Sequence, residues 1–185
     1  MRVIAGKAKG HRLKSPGTST RPMADRMRES LFSALGDLGG CRILDLYAGS
    51  GALGLEALSR GAEHATFVEN ARDAIVKLEH NIDATGFRGS SEVVWSDVGA
   101  TLRRPAEERQ DLIFVDPPYS MSADGVRADL EALVMGGFLA DSGRVVVHRP
   151  AKESALQPLG LVSVWERDFG QSHLYVYCHE EEEET

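Results

Sequence analysis

The chain has 185 residues, of which 42% are hydrophobic, and its formal net charge is −7. This length is sufficient for one well-buried core and too short for two ordinary domains, so we expect one domain with a small appendage. No apolar run approaches the roughly 20 residues that span a bilayer, and the first residues lack the long apolar stretch of a signal peptide. These features exclude a membrane-spanning chain and favour a cytoplasmic protein.

The charge is distributed very unevenly along the chain. Residues 1–30 contain eight Lys or Arg against two acidic residues, a net charge of +6, which leaves −13 for the remainder. Because phosphate contacts need a basic surface, the N-terminal segment is the part suited to nucleic acid. Residues 180–184 are all Glu. These five charges repel each other and bury nothing, which predicts a disordered tail over residues 180–185.

Residues 1–22 are predicted to form a basic extension before the main domain. Residues 2–5 and 11–14 are expected to pair as an antiparallel hairpin. An isolated hairpin is only marginally stable, so this one needs support from the rest of the protein or from a ligand. Residues 15–22 are rich in Pro, Gly and Ser, which is typical of a connector.

Residues 23–179 predict a single α/β domain. It begins with a helix over residues 23–36, with Arg26 and Arg28 off its apolar face. Short apolar runs then alternate with amphipathic ones, which predicts a mostly parallel sheet of seven strands with helices on both faces. After Pro150 the pattern changes to an antiparallel closing hairpin. The predicted strands cover residues 42–46, 64–68, 92–95, 112–115, 144–147, 161–165 and 173–177, and the predicted helices cover residues 52–60, 71–85, 98–104 and 124–136.

A glycine-rich loop lies between the first predicted strand and the helix after it. This order lets the backbone approach a ligand at a helix N-terminus, at the carboxyl ends of the strands. Gly49, Gly51 and Gly54 also match the dinucleotide fingerprint, so their spacing alone leaves NAD open. Asp45, four residues before Gly49, would repel a pyrophosphate and suits the cationic methionine half of S-adenosylmethionine. Glu69 ends the next strand, where an acidic residue can bind both hydroxyls of a ribose.

The tetrapeptide Asp116-Pro117-Pro118-Tyr119 follows the fourth predicted strand and reaches the same edge of the sheet. Its two prolines remove two N–H donors, so the turn presents acceptors. The exocyclic amino group of a base is a poor nucleophile because its lone pair is delocalised into the ring. The Asp116 carboxylate and the Pro117 carbonyl can accept hydrogen bonds from the two N–H groups of this amino group. They thereby stabilise the positive charge that develops on its nitrogen. Tyr119 is expected to stack on a base flipped into this pocket.

Both motifs are similar to motifs of one enzyme class. The pattern Asp-x-x-x-Gly-x-Gly resembles the first motif of Rossmann-like, class I methyltransferases, and Asp-Pro-Pro-Tyr resembles the signature of amino methyltransferases. The resemblance implies S-adenosylmethionine as cofactor and S-adenosylhomocysteine as product. The sequence has no Cys-x-x-Cys pair and no His at ligand spacing, so no metal is expected. The resemblance also places Ser96 and Asp97 at the adenine edge, although Asp97 is equally suited to cap the next helix. The implied cofactor-binding residues are Asp45, Ala48, Gly49, Ser50, Gly51, Glu69, Asn70, Ser96 and Asp97.

The N-terminus carries the further motifs Arg2-Val3-Ile4-Ala5-Gly6 and Thr20-Arg21-Pro22. Together with the glycine loop and the tetrapeptide, they resemble the RsmD family over nearly the whole chain. That family methylates N2 of a guanine in bacterial 16S ribosomal RNA. The resemblance implies 16S rRNA as substrate, with the basic extension binding the RNA. The acidic remainder of the chain favours a 30S assembly intermediate as the form of that substrate. Neither Cys lies near either motif, so we expect direct in-line transfer without a covalent enzyme intermediate, by a monomer. The implied RNA contacts are Arg2, Lys7, Lys9, Arg12, Arg21 and Arg26.

Three other functions fit the same motifs. A DNA adenine-N6 methyltransferase uses the same tetrapeptide, but such enzymes usually carry a target-recognition domain, for which this chain has no room. A module that binds S-adenosylmethionine without catalysis is the second alternative, and an NAD-dependent oxidoreductase is the third. Outside the motifs, Trp95 and Trp165 are expected in the core. His148 ends the fifth predicted strand at the functional edge, where it is interpreted as a strand-terminal polar residue, with contact to the substrate as the alternative.

Overall fold

The computed structural model describes residues 1–15, 23–151, 153 and 156–180. Most of the predicted connector, including Arg21, and residues 181–185 of the predicted tail lie outside the described residues. The helices are α1 Asp25–Leu35, α2 Ala52–Ser59, α3 Arg72–Thr85, α4 Val98–Leu102 and α5 Ala123–Met135, with a 3-10 turn at Arg88–Ser90. The strands are β1 Arg42–Leu46, β2 His64–Glu69, β3 Ser91–Trp95, β4 Gln110–Val115, β5 Leu139–Pro150, β6 Leu161–Phe169 and β7 Ser172–His179.

The strands form one sheet in the order β3-β2-β1-β4-β5-β7-β6. Strands β1 to β5 are parallel to one another, whereas β7 is antiparallel to both β5 and β6. The predicted Rossmann-like fold and its antiparallel closing hairpin are therefore confirmed. Strands β5 and β6 are longer than predicted because backbone pairing continues beyond their apolar segments. No helix in the described ranges is long and apolar enough to cross a membrane.

Two buried apolar clusters cover the two faces of the sheet. On one face, Ile43, Phe67 and Phe114 pack with apolar residues of α1, α2 and α3. On the other face, Leu44 and Ile113 pack with residues of α4 and α5. Side chains alternate between the two faces along a strand. A polar residue that follows a residue of the first cluster by two positions along the same strand therefore points to the same face of the sheet, the one covered by α1, α2 and α3.

The N-terminal extension, residues 1–15, folds against this first face. A single antiparallel bridge between Arg2 and Arg12 joins its two halves, so the predicted hairpin is present but very short. Val3, Ala8 and Leu13 are buried in the same cluster as α1 and α2. The rest of the protein thus supplies the support that an isolated hairpin lacks. A domain boundary at residue 22 stays a prediction.

Hydrogen bonds to α2 hold the extension in place. The backbone N–H groups of Ile4 and Ala5 donate to the carboxylate of Glu56 at 2.7 and 3.1 Å. Glu56 is fully buried and also accepts a hydrogen bond from Arg60. The N–H of Lys7 donates to the Ser59 carbonyl oxygen at 2.7 Å. Backbone donors on the extension are thereby paired with acceptors on one face of α2.

The extension also explains why the prediction for Arg28 is wrong. Arg28 is 0% exposed, although the helical pattern placed it off the apolar face. Its Nη2 donates to the carbonyl oxygen of Arg2 and to the carboxylate of Asp25, each at 2.7 Å. The chain before α1 covers this part of the helix, and helical periodicity carries no information about that cover.

The prediction that both tryptophans lie in the core holds only in part. Trp165 is half-buried and packs against the first cluster. Trp95 is 63% exposed, and its indole N–H donates to the carbonyl oxygen of Asn70 at 3.0 Å. Trp95 ends β3, one of the two edge strands of the sheet, which has a neighbouring strand on one side only.

Substitution of Gly6 tests the close packing of the extension on α2. Gly6 has φ +80°, and a Cβ atom there would lie 1.7 Å from the Ser59 carbonyl oxygen. We expect Gly6→Ala to lower the free energy of unfolding by about 2–5 kcal/mol, because overpacking adds to the cost of the left-handed backbone. Urea denaturation measures this loss.

Gly10→Ala is the matched control. Gly10 has φ +87°, and its Cβ would meet nothing within 4 Å. This substitution should lower the free energy of unfolding by only about 1–2 kcal/mol, which is the cost of a left-handed backbone conformation for alanine. Equal losses in the two variants would show that the extension is not packed closely on α2.

Candidate active site

Polar side chains from five strands meet at the carboxyl edge of the parallel strands, on the face of α1, α2 and α3. The register pairs Asp45 with Phe114, and Phe114 with Val146. Because side chains on one face recur every second residue, Asp116 and His148 emerge beside each other two positions further on. The polar residues that this periodicity gathers are Asp45, Glu69, Asp116, His148 and Ser172.

The glycine loop crosses this edge between β1 and α2. Gly49 and Gly51 have φ values of +56° and +81°, and a Cβ on Gly51 would meet Leu78 at 2.4 Å. Tyr47 also has a positive φ, +60°. Its hydroxyl donates to the carboxylate of Asp129 on α5, which ties the start of the loop to that helix. The loop therefore delivers the N-terminus of α2 to the edge where the polar side chains meet.

Glu69 fastens the glycine loop to the end of β2. Its carboxylate, 9% exposed, accepts the N–H of Gly49 at 2.7 Å. It also accepts the N–H groups of Asn70 and Ala71 at 2.9 and 2.8 Å. A carboxylate offers about four acceptor positions, so little capacity remains for the two ribose hydroxyls that were predicted to bind there. The ribose contact stays a prediction, and the loop contact is one that the spacing did not reveal.

Asp45 is a buried carboxylate without a cationic partner. It is 1% exposed and accepts the N–H of Gly54 at 2.9 Å. Burial raises the pKa of Asp45 well above its usual value, and the negative charges of Asp116 and Glu69 raise it further. No basic side chain in the described part of the chain pairs with it. An unpaired buried charge is unfavourable, so a cation bound at this edge would be stabilised there.

Asp116 begins the tetrapeptide and is bonded to a histidine. Its Oδ1 lies 2.7 Å from Nδ1 of His148, which is only 2% exposed. Nε2 of His148 lies 3.3 Å from the Tyr119 hydroxyl, and that hydroxyl lies 2.9 Å from Oγ of Ser172. The Asp116 side chain is 29% exposed and Tyr119 is 40% exposed. Both predicted catalytic side chains are therefore open to a substrate, while His148 lies behind them.

The other predicted site residues surround this edge. Pro117 is buried and Pro118 is exposed. The Asp97 carboxylate accepts the N–H of Ala100 at 3.0 Å, so the capping interpretation is confirmed, and its adenine contact stays a prediction. The remaining predicted cofactor residues are the partly buried Ala48 and Ser96, the buried Ser50 and the exposed Asn70. Within the described ranges, no His, Cys, Asp and Glu side chains form a group that could hold a metal ion.

Asn81 connects the N-terminal extension to the glycine loop. This fully buried residue of α3 exchanges two hydrogen bonds with the backbone of Lys14, at 2.8 and 3.0 Å. Its amide also donates to the carbonyl oxygen of Ser50 at 2.9 Å. Sequence reasoning missed this residue, because an Asn inside a helix gives no local sign of contacts with two distant segments.

The predicted RNA contacts within the described residues are all exposed. The extension carries four of these side chains, and α1 carries the fifth. Arg2 is partly engaged, because its Nε lies 3.6 Å from the Asp25 carboxylate. Arg21, the sixth, lies outside the described residues. The exposed cations are Arg2, Lys7, Lys9, Arg12 and Arg26.

Comparisons with known proteins match the chain over almost its full length. A family model described as conserved hypothetical protein 95 matches residues 1–178. "Putative rRNA methyltransferase YlbH" of Bacillus subtilis is 35% identical over 96% of this chain and 98% of its own length. "Ribosomal RNA small subunit methyltransferase D" of Escherichia coli is 37% identical over 80% of this chain and 74% of its own. The solved structure "Putative methyltransferase yhhF from Escherichia coli" has a TM-score of 0.87 and 32% identity, covering 98% of this chain and 99% of that one.

The unpaired charge of Asp45 predicts a pH-dependent cost to stability. Its pKa in the folded protein lies well above the usual 3.8, so between these two values the folded state binds more protons than the unfolded state. The free energy of unfolding then falls as pH rises through this window. Asp45→Asn keeps an acceptor for Gly54 and removes the charge. We expect this variant to gain stability relative to wild type as pH increases, measured by chemical denaturation from about pH 4 to 8.

Glu92→Gln provides the control. Glu92 is an exposed carboxylate on β3, so its replacement should change stability by less than about 0.5 kcal/mol at each pH. A stability difference for Asp45→Asn that stays constant or shrinks with rising pH would contradict the prediction.

Proposed function

The chain belongs to the RsmD family, described as conserved hypothetical protein 95, and we propose that it methylates N2 of a guanine in 16S ribosomal RNA with S-adenosylmethionine. S-adenosylhomocysteine is the second product. One observation carries this proposal: Asp45, a buried carboxylate in need of a cation, shares a sheet edge with the acceptors of the Asp116 tetrapeptide. The names of the relatives support methylation of rRNA, and the choice of guanine N2 rests on the family.

The residues around the glycine loop fit S-adenosylmethionine better than NAD. The cofactor carries a positively charged methionine half, which would compensate the Asp45 charge, whereas a pyrophosphate would be repelled by it. When bound, S-adenosylmethionine supplies an electrophilic methyl group. The residues that we propose to hold the cofactor are Asp45, Ala48, Gly49, Ser50, Gly51, Glu69, Asn70, Ser96 and Asp97.

The tetrapeptide then prepares the amino group for attack. The free oxygen of Asp116 and the carbonyl of Pro117 accept hydrogen bonds from the two N–H groups of the amino group. These hydrogen bonds orient the nitrogen and let it become more tetrahedral. The negative carboxylate stabilises the positive charge that develops on the nitrogen. The amino proton leaves after the N–C bond has formed, when the nitrogen is cationic and acidic, so Asp116 need not be a strong base. No covalent bond to the protein is required.

Tyr119 is proposed to hold the target base. Its ring is 40% exposed, and its hydroxyl is bonded to Ser172 and His148, so it presents a fixed aromatic surface. Flipping the base out of its stack costs a few kcal/mol. Stacking on an aromatic side chain returns about 1–3 kcal/mol of this cost.

The N-terminal extension is proposed to bind RNA phosphates. Its exposed cations contrast with the net −13 of residues 31–185. Because the acidic remainder repels RNA, we propose that the substrate is a 30S assembly intermediate whose ribosomal proteins add contacts. The enzyme is proposed to act as a cytoplasmic monomer.

A methyl-transfer assay tests the function. Protein is incubated with tritiated S-adenosylmethionine and with 30S particles, protein-free 16S RNA or duplex DNA, and the product nucleosides are identified by mass spectrometry. We expect N2-methylguanosine from the 30S particles or the 16S RNA. Asp116→Ala should lower kcat on the order of 10²- to 10³-fold, because an interaction with the developing charge is lost. Its Kd for the cofactor should stay unchanged.

The same assay separates the alternatives. Label that enters adenine of duplex DNA, and neither form of the RNA, would identify a DNA methyltransferase. Binding of S-adenosylmethionine with no transfer to any nucleic acid would identify a non-catalytic module. Calorimetric binding of NADH in place of S-adenosylmethionine would identify an oxidoreductase.

The salt dependence of RNA binding tests the role of the extension. If five cations contact phosphates, a plot of the logarithm of the binding constant against the logarithm of the salt concentration should have a slope of about −4 to −5 for double-stranded RNA. For single-stranded RNA the slope should be about −3.5. Lys7→Ala/Lys9→Ala/Arg12→Ala should make this slope shallower by about 2 to 3, since each phosphate contributes about 0.7 to 0.9. Filter binding at several salt concentrations measures the slope.

Arg109→Ala is the control for this measurement. Arg109 is exposed and forms an ion pair with Asp141 at the opposite, amino edge of the sheet. Its removal should leave the slope unchanged. An unchanged slope in the triple variant would show that the extension does not bind phosphates.

A further inference from the structure

We propose that His148 is a positioning residue for methyl transfer, which holds one oxygen of Asp116 and leaves the other to the substrate. This inference rests on the proposed function. The Nδ1 of His148 lies 2.7 Å from Oδ1 of Asp116, and no other hydrogen bond to this carboxylate occurs among the residues that the structure describes. Oδ2 therefore remains for the amino group.

For a neutral imidazole, the chemistry of the partners selects one tautomer of His148. An ionised carboxylate only accepts hydrogen bonds, so Nδ1 must carry the proton. In the neutral ring Nε2 is then an acceptor, and the Tyr119 hydroxyl, 3.3 Å away, donates to it. Oγ of Ser172, 2.9 Å from the Tyr119 oxygen, is left to donate to that oxygen. The hydrogen bonds then run in one direction, from Ser172 to Tyr119, from Tyr119 to His148 and from His148 to Asp116. These four side chains therefore hold one another in place.

The position of His148 makes it suited to this role. It lies in β5, between β4 and β7, and the register pairs it with Leu174. Its ring is 2% exposed and contacts the Tyr119 ring edge to face, with centroids 5.6 Å apart. Asp116 belongs to a turn, so its own backbone restrains it less than a central strand restrains His148. A rigid strand thereby orients a carboxylate that the turn alone would leave free to rotate.

Two amide substitutions separate the two contacts of the imidazole. The amide nitrogen of His148→Asn can occupy the position of Nδ1 and donate to Asp116. The amide of His148→Gln reaches the position of Nε2 and keeps only the contact with Tyr119. We expect His148→Gln to lower kcat on the order of 10- to 100-fold, because a misplaced catalytic group has an effect of this size. His148→Asn should recover most of the activity, and the KM for S-adenosylmethionine should be unchanged in both.

His173→Gln is the matched control. His173 forms a second His–Asp pair, with Nδ1 2.6 Å from Oδ1 of Asp168 in the β6–β7 hairpin. Its replacement should leave kcat unchanged. If His148→Gln and His148→Asn both keep the wild-type kcat, or lose it equally, the positioning role is wrong. Thermal unfolding of each variant separates a loss of folding from a loss of orientation.

A spectroscopic measurement tests the inference independently of any substrate. In ¹⁵N-labelled protein, we expect the Nδ1–H tautomer of His148, and Asp116→Ala should shift the Nδ1 resonance. An unprotonated Nδ1 in the wild-type protein would overturn the inference. Absence of methyl transfer by the wild type, with the tautomer as expected, would instead count against the proposed function and leave the geometry of the pair intact.

Discussion

The repulsion between carboxylates gathered at one edge of the sheet is the constraint on which the site depends. Glu69 is stabilised by three backbone N–H groups, and Asp116 is stabilised by His148. Asp45 has only the N–H of Gly54, and the other two charges raise its pKa further. The fold thus stabilises two of these three carboxylates with its own hydrogen-bond donors, whereas the most deeply buried one has a single backbone donor and no cationic partner among the described residues. A cationic cofactor is the ligand class that removes this cost, which connects the stability of the apoprotein to its proposed chemistry.

The N-terminal extension is connected to the glycine loop through hydrogen bonds to α2 and α3. Glu56 and Ser59 hold it from α2, the helix that begins at the glycine loop. Asn81 bonds to the extension and to the Ser50 carbonyl at the same time. A displacement of the extension must therefore disturb hydrogen bonds that define the loop. In the proposed function, RNA bound by the extension and cofactor bound by the loop would share one rigid unit of two helices, so orientation of the one orients the other.

Most of the fold follows from local pattern. Alternating apolar strands and amphipathic helices predicted the parallel sheet, and the change of pattern after Pro150 predicted the antiparallel hairpin that β6 and β7 form. The errors have a common cause. Arg28 is buried because residues before α1 cover it, and Trp95, on the edge strand β3, is exposed because no other segment that the structure describes packs over its side chain. Periodicity describes one element at a time, so it carries no information about which other segment covers that element.

The sequence by itself determined the chemistry-bearing motifs, because Asp45 with its glycine loop and the tetrapeptide at Asp116 are contiguous, and each follows a recognisable strand. It also determined which strand ends carry them. Only the tertiary structure decided the partners of those motifs. His148 lies 32 residues from Asp116, and Asn81 lies 31 residues from Ser50. Such contacts depend on strand register and helix packing, which no local spacing encodes. The proposed reacting groups were therefore predictable from the sequence, whereas the residues that contact them emerged only from the fold.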